Sequence, residues 1–291
     1  MSKRKQKNRN LLSNLKDFWL RFRKNKSAVI GLAILIIFII VSIFGNLIVP
    51  YERVTTQNAK IRLQEPSINH YFGTDGFGRD VFARIIHATP ISLFIGISVS
   101  FLCLFIGGSL GISSGYFGGR YDEILMRIVD IVSSIPAILL AMVVLAVLGP
   151  SMGNLIIAMT LSRIRATTRL SRSAVFSTLG QEYIEAAKAG GSTDLRIMLK
   201  HIVPNIVGIL TVDTTMNIAH VILAASSLSF LGLGVQPPTP EWGSMLSEAR
   251  VYMRGSAHLM IFPGMAIVLA ALSINLVGDG LRDSLDPRLK S

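Results

Sequence analysis

Six long apolar runs constrain this chain more than any other feature of its sequence. At about 1.5 Å per residue, roughly 20 helical residues cross the hydrocarbon core of a bilayer. Only 16% of the 291 residues are charged, whereas soluble domains carry roughly a quarter. The sequence therefore predicts an all-α polytopic membrane protein with six transmembrane helices. The runs lie at about 28–49, 91–112, 131–149, 152–170, 206–234 and 259–280.

The distribution of basic residues predicts the orientation of these spans. With the N-terminus in the cytoplasm, 22 of the 29 Lys and Arg residues fall on the cytoplasmic side, as the positive-inside rule requires. The net charge of +12 is therefore a topology signal and does not indicate a nucleic-acid partner. The first apolar run is too long for the core of a cleavable signal. We expect a multi-pass protein of the cytoplasmic (inner) membrane with both termini in the cytoplasm.

The spans divide the chain into parts with different roles. In the leader, apolar residues between Leu11 and Phe22 recur at helical spacing, which predicts an amphipathic helix in the interface with Trp19 at headgroup depth. A disordered basic leader is the alternative. The predicted parts are a cytoplasmic leader at 1–27, a first span at 28–49, an extracytoplasmic loop at 50–90, a five-helix core at 91–280 with a cytoplasmic loop at 181–205, and a tail at 281–291.

The loop at 181–205 has the pattern of a helix-turn-helix outside the membrane. Good helix formers run to Lys188, Gly190-Gly191 breaks the helix, and Ser192 or Thr193 can cap a second helix from Asp194. Pro204 is predicted to close that second helix. Small residues permit close approach to a partner, and Glu185 offers a charge to a basic rim. The small residues are Ala186, Ala187, Ala189 and Gly191.

This loop resembles a known motif. Glu185-Ala186-Ala187, Gly191 and Val203-Pro204, at their spacing, resemble the EAA loop of ABC importer permeases. His201 and Val203 depart from the general pattern, which has Ile and Leu there. Further stretches resemble the peptide and nickel branch, and in particular its second permease with an extra N-terminal span. They are Phe18–Gly31, His70–Asp80, Leu228–Gly234, Pro240–Gly243 and Gly278–Arg288.

The resemblance implies a type I ABC importer permease fold and a function. The chain would import di- or oligopeptides, with import of nickel or a metal chelate as the alternative. A homologous second permease, two ATPase subunits and an extracytoplasmic binding protein would be its partners. The chain would have no catalytic site, and ATP-Mg would bind the ATPases, since no Gly-Lys of a Walker motif occurs here. The implied ATPase-coupling residues are Glu185, Ala186, Ala187, Gly191 and Pro204.

The fifth span carries three polar residues on one helix face. Asp213, Asn217 and His220 stand at i, i+4 and i+7, and ionisable groups in spans usually face a cavity or a partner. One hypothesis is that they line the solute path. The alternative is that Asp213 lies near the cytoplasmic interface and His220 bonds a neighbouring helix. A metal site is less favoured, because one His makes no coordination sphere.

The remaining candidate sites and protein classes have less support in the sequence. Gly73–Asp80 lacks the features of a P-loop and of an EF-hand, so it is predicted to be a structured turn or a contact for the binding protein. The family often has Glu where Ala225 stands, so no acidic role is assigned there. A membrane enzyme would need paired carboxylates or a His cluster within the spans. A secondary transporter would need no docking loop.

Overall fold

The computed structural model describes residues 18–285 and is helical throughout. Within these residues there is no β-strand, only an isolated bridge between Thr74 and Asp80, so the predicted all-α class is confirmed. The helices are α1 (Lys26–Ile48), α2 (Glu52–Thr55), α3 (Val81–Leu102), α4 (Gly108–Phe117), α5 (Gly119–Ser133), α6 (Ala137–Leu148), α7 (Met152–Leu179), α8 (Glu182–Ala189), α9 (Asp194–Ile197), α10 (Val203–Phe230), α11 (Trp242–Ala249) and α12 (His258–Leu285).

Two wide π-helical turns join shorter helices into long ones. Cys103–Gly107 connects α3 to α4, and Met198–Ile202 connects α9 to α10. Each continuous helix is 37 residues long. We call the two ends of the molecule the α8 end and the α11 end, because α8 precedes the start of the α9–α10 helix and α11 follows its finish.

The number of spans is only partly settled by the helices. Within residues 18–285, four helices are long and apolar enough to cross a membrane: α1, α3–α4, α9–α10 and α12. A fifth span is possible if α5 and α6, which are bent by 82° at their junction, cross as a pair. The predicted fourth span lies in α7, which carries four arginines between Arg163 and Arg172. The six-span count therefore stays a prediction.

The second long helix begins earlier than its apolar run. Val81 is its first residue, inside the segment predicted as an outer loop at 50–90. Asp80 explains this start, because its side chain accepts a hydrogen bond from the Ala83 amide at 2.9 Å and so caps the helix. Pro90 lies inside the helix without ending it.

The core is organised around α10, which packs against α12, α3, α7 and α11. α4 and α7 approach closely along a stripe of small residues formed by Gly107, Gly111 and Gly115. A Cβ added at Gly107 would lie 2.8 Å from the Ile164 carbonyl oxygen, and one at Gly115 would lie 2.9 Å from the Val175 Cβ. Small residues at this spacing let helix backbones meet within a bilayer.

The leader and the tail fall largely outside the described residues. Residues 18–24 are helical and Trp19 is 45% exposed. The second half of the helix predicted at 11–22 is therefore present, and its position in the membrane interface stays a prediction. The first half of that helix, and the tail from Asp286 onward, lie outside the described range.

Candidate functional site

The predicted docking helix is α8, and one buried side chain holds it in place. Ile184 is fully buried among Val175 of α7, Ile197 of α9 and Ile206 of α10. Glu185, Ala186 and Ala189 face outward, and Ala187 is half-buried. A short helix of eight residues has little stability of its own, so this single apolar anchor orients its exposed surface.

The turn after α8 has the hydrogen bonds of a Schellman motif. The Ser192 amide donates to the Ala187 carbonyl at 3.1 Å, and the Gly191 amide donates to the Lys188 carbonyl at 3.0 Å. Gly191 has φ +71°, and nothing lies within 4 Å of a Cβ added there. Within this chain glycine is therefore required by the backbone angle and not by lack of space.

The second half of the loop corrects one prediction. Pro204 does not close a helix, since α9 continues through the π-helical turn Met198–Ile202 into α10. Pro204 stands in the first turn of α10, directly after the wide turn. A proline has no N–H to donate, and a π-helical turn is one of the places where the helix can tolerate that loss. Thr193 is the N-cap residue of α9, but its side chain makes no capping hydrogen bond.

Tyr116, at the end of α4, contacts both halves of the loop and was missed by sequence reasoning. Its hydroxyl donates to the Asp194 carboxylate at 2.7 Å, and the Lys188 ammonium lies 5.7 Å from its ring centroid. An isolated tyrosine in a helical pattern is more often a packing residue, so no sequence signal pointed to this role. α8 and α9 are therefore tied to α4 as well as to α10.

A row of arginines on α7 fixes α5. Arg169 donates to the Asp130 carboxylate at 2.6 Å, and Arg165 donates to the Ser133 carbonyl at 2.9 Å. Arg172 holds Asp122 through two donors. These contacts explain why α7 carries charges that a simple span would avoid. They also connect α7, whose C-terminus leads into α8, to the bent α5–α6 pair.

The three polar residues of the fifth span have different surroundings. Asn217 is buried, accepts from Arg163 Nε at 2.7 Å and donates to the Ser100 hydroxyl at 3.2 Å. Asp213 is half-buried and accepts from the Thr167 hydroxyl at 3.2 Å. His220 is exposed. The structure thus joins Asp213 and Asn217 to α7 and leaves His220 on the surface.

Asp213 also lines a cavity at the α8 end of the molecule. The cavity has a volume of about 460 Å³ and lies between α7, α10 and α12, within the size range of small-molecule sites. Arg282 is the other charged residue in its wall, and Gly208 leaves space opposite Leu285. A carboxylate on an apolar helix is costly unless it meets a cation or water, and this cavity provides a place for either.

At the α11 end, Gly73–Asp80 forms a structured turn, which was one of the two predictions for this segment. Asp75 accepts from Arg79 Nε at 2.6 Å and from Arg84 Nη1 at 2.7 Å. Glu248 of α11 binds the same two guanidinium groups at 2.5 and 2.6 Å. Two positive and two negative charges thus join the turn, α3 and α11 in one largely buried cluster.

α11 is fixed at its start by another buried carboxylate. Glu241 is 1% exposed and accepts from the Gly243 and Ser244 amides, each at 2.9 Å. Burial raises the pKa of this carboxyl group, and the two amides oppose the rise. Trp242 is fully buried against Phe38 of α1, with ring centroids 5.7 Å apart.

No group of three or more His, Cys, Asp or Glu residues that could hold a metal ion occurs within residues 18–285. Several apolar helices, a short exposed helix tied to the long helix α9–α10, and a cavity with a charged wall define the class of the chain. It is a multi-pass membrane transport subunit.

Comparison with known proteins identifies the family. Residues 107–291 match the family described as binding-protein-dependent transport system inner membrane component. Residues 13–66 match the N-terminal TM domain of oligopeptide transport permease C. The chain therefore belongs to the inner membrane components of binding-protein-dependent transport systems, the permeases of ABC importers. The resemblance to the permease with an extra N-terminal span is confirmed.

Curated relatives match over nearly the whole chain. It is 42% identical over 280 residues to the dipeptide transport system permease protein DppC of Alkalihalophilus pseudofirmus, covering 96% of this chain and 92% of that one. It is 44% identical over 274 residues to the glutathione transport system permease protein GsiD of Escherichia coli O6:K15:H31, covering 94% and 90%. The protein of that name from Shigella boydii serotype 4 matches equally well.

Proposed function

We propose that the chain imports small peptides across the cytoplasmic membrane as one permease of a heterodimer. The relatives are named for transport of a dipeptide and of glutathione, which is itself a peptide, and this disfavours the nickel alternative. A binding protein on the outer side would deliver the peptide. Two separate ATPase subunits would bind ATP-Mg and supply the energy, with both termini of this chain in the cytoplasm.

The observation that carries this proposal is the exposed surface of α8. Glu185, Ala186 and Ala187 belong to a helix anchored by one buried residue, and Gly191 shapes the turn after it. Pro204 lies further on, at the start of α10. A partner that moves α8 would move α10 with it, because the buried Ile184 of α8 packs in one cluster with Ile206 of α10. We assign the ATPase-coupling role to these five residues.

We further propose that the face of α10 carrying Asp213, Asn217 and His220 lines the solute path, with Asp213 as its best-supported member. The support is the cavity of about 460 Å³ beside Asp213. Its carboxylate suits the ammonium group of a peptide. Asp213→Asn should lower uptake by about tenfold, the effect of losing one charge-assisted hydrogen bond, while Asp279→Asn, an exposed change on α12, should not. Unchanged uptake in Asp213→Asn would remove Asp213 from the path.

Uptake measurements test the function as a whole. Labelled dipeptide, labelled glutathione and nickel would be offered in parallel to cells with and without this gene. We expect the loss of peptide uptake alone. Loss of nickel uptake alone would overturn the peptide assignment, and uptake that persists after depletion of ATP would overturn the ATP-driven mechanism.

A further inference from the structure

The residues just before α1 form a cationic cavity at the α8 end, separate from the sites described above. Arg21, Lys24, Asn25 and Asp283 line a volume of about 410 Å³. Two of the four are basic, and Arg23 and Lys26 stand beside them in the chain. The one carboxylate in the lining, that of Asp283, already accepts a hydrogen bond from the side-chain amide of Asn25 at 3.0 Å. The cavity therefore presents net positive charge.

The backbone around this cavity is held in a defined position. Phe22 is 3% exposed and packs with Ala28 of α1 and Val277 of α12. It lies directly over Gly280, where an added Cβ would be 2.7 Å from its ring. Asn25 caps α1 by accepting from the Ala28 amide at 3.1 Å. Arg21 and Lys24 are thus carried by a helical segment that is packed against α12 and joined to the capped start of α1.

The cavity lies at the depth where lipid headgroups are found. It sits at the start of α1, the most apolar of the four long helices. Trp19 and Leu20 are about half exposed, and Trp19 stacks on Phe22 with ring centroids 5.8 Å apart. Exposed tryptophan next to the end of a span is typical of the membrane interface. Beyond the cavity, α1 exposes Ile30 and Ile37, an apolar surface suited to acyl chains.

We propose that this cavity binds the headgroup of an anionic phospholipid. The Arg21 guanidinium offers paired donors that match the oxygens of a phosphate, and the Lys24 ammonium adds a point charge. The acyl chains lie along the exposed face of α1. Such a lipid joins the leader to the end of α12, next to the cavity that contains Arg282. This site goes beyond peptide import and does not depend on which peptide is carried.

Lipid binding to the purified full chain tests the proposal. Phosphatidylglycerol and phosphatidylcholine would be titrated separately into the detergent-solubilised protein, with the dissociation constant read from the rise in its thermal unfolding midpoint. Phosphatidylglycerol should bind tightly and phosphatidylcholine weakly. In the double variant R21Q/K24Q, the dissociation constant for phosphatidylglycerol should rise by roughly 30-fold, about fivefold for each charge near the surface.

The matched control removes the same charge outside the cavity. The rise in the dissociation constant should be about tenfold smaller in R23Q/K26Q than in R21Q/K24Q, because Arg23 and Lys26 do not line the cavity. Equal losses in the two double variants would overturn the site in favour of diffuse surface attraction. Stabilisation by inorganic phosphate alone, at the concentrations where phosphatidylglycerol acts, would overturn the assignment to a lipid. Undiminished phosphatidylglycerol binding in R21Q/K24Q would overturn the assignment of the lipid to this cavity.

Discussion

Two carboxylates near the α8 end show how surroundings decide what an acidic residue can do. Glu185 is exposed on a short helix outside the long apolar ones, where a charge costs nothing and is available to a partner. Asp213 is half-buried on a long apolar helix, with one hydroxyl donor and a cavity beside it. The first suits an interface between proteins, and the second suits a contact that forms and breaks as a solute passes.

Reversing the charge of Glu185 should uncouple the transporter. We expect Glu185→Lys to lower peptide uptake by at least about tenfold, because like charges at a docking surface cost several kcal/mol. ATP hydrolysis by the partner subunits should continue. The measurement is uptake and ATPase activity on the same reconstituted complex.

Glu123→Lys is the matched control, since Glu123 is equally exposed and pairs only with Arg127 on the surface of α5. It should leave both activities unchanged. Normal uptake in Glu185→Lys would remove Glu185 from the docking surface.

At the scale of helices, Gly191 sets the direction in which the chain leaves α8. Gly191→Ala places an L-residue at φ +71°, which costs about 1–2 kcal/mol. We expect peptide uptake to fall, with Gly191→Asn intermediate because asparagine tolerates this conformation. Uptake relative to ATP hydrolysis is the measurement.

The neighbouring glycine provides the control. Gly190 has φ −75°, an ordinary value, so Gly190→Ala should change uptake little. If both alanine variants behave alike, backbone angle is not the reason for glycine at position 191.

The buried charges at the α11 end predict a large effect on stability. Glu248→Gln would leave the Arg79 and Arg84 guanidinium groups with Asp75 as their only carboxylate. Breaking a buried pair in this way costs about 3–5 kcal/mol, and we expect the lower end because Glu248 is partly exposed. The free energy of unfolding of the purified chain, measured in a denaturing detergent series, tests this.

An exposed pair gives the comparison. Glu123→Gln removes the surface partner of Arg127 and should change the free energy of unfolding by less than about 1 kcal/mol. If the two substitutions lower the free energy of unfolding equally, the buried cluster at Glu248 stabilises the fold no more than an exposed ion pair does.

The sequence predicted features that depend on local patterns and missed those that depend on distant contacts. The end of α8 at Gly190-Gly191 follows from backbone preference, so it was predictable. The continuation of the helix past Pro204 was not, because it depends on a wide turn stabilised by packing of Ile202 and Ile206. The roles of Tyr116 and the α7 arginines were also hidden, since their partners lie 32 to 78 residues away in the chain.

At the scale of the whole molecule, α8 and α11 are joined by one continuous helix. The 37 residues of α9–α10 span about 55 Å at 1.5 Å per residue. α8 is fixed to its start through Ile184. α11 follows its finish after the loop at 231–241 and is held by Glu248 to the turn before α3. A displacement at the start of α9–α10 therefore reaches its finish through a continuous helix.

That arrangement makes the number of spans testable. Between the loop after α1 and the α8–α9 turn lie α3–α4, the bent pair α5–α6, and α7. Three crossings put the two loops on opposite sides, whereas they share a side if α7 does not cross.

Gln57→Cys, Thr193→Cys and Met253→Cys place a thiol in each exposed segment. The native Cys103 is fully buried and should stay unlabelled. With a membrane-impermeant maleimide on intact cells, we expect labelling at 57 and 253 and none at 193. Position 193 should react only after the membrane is opened. Labelling at 57 and 193 together would show an even number of crossings between them, so that either α7 or the bent pair α5–α6 does not cross. If it is α7, the arginines that hold α5 lie along the membrane surface.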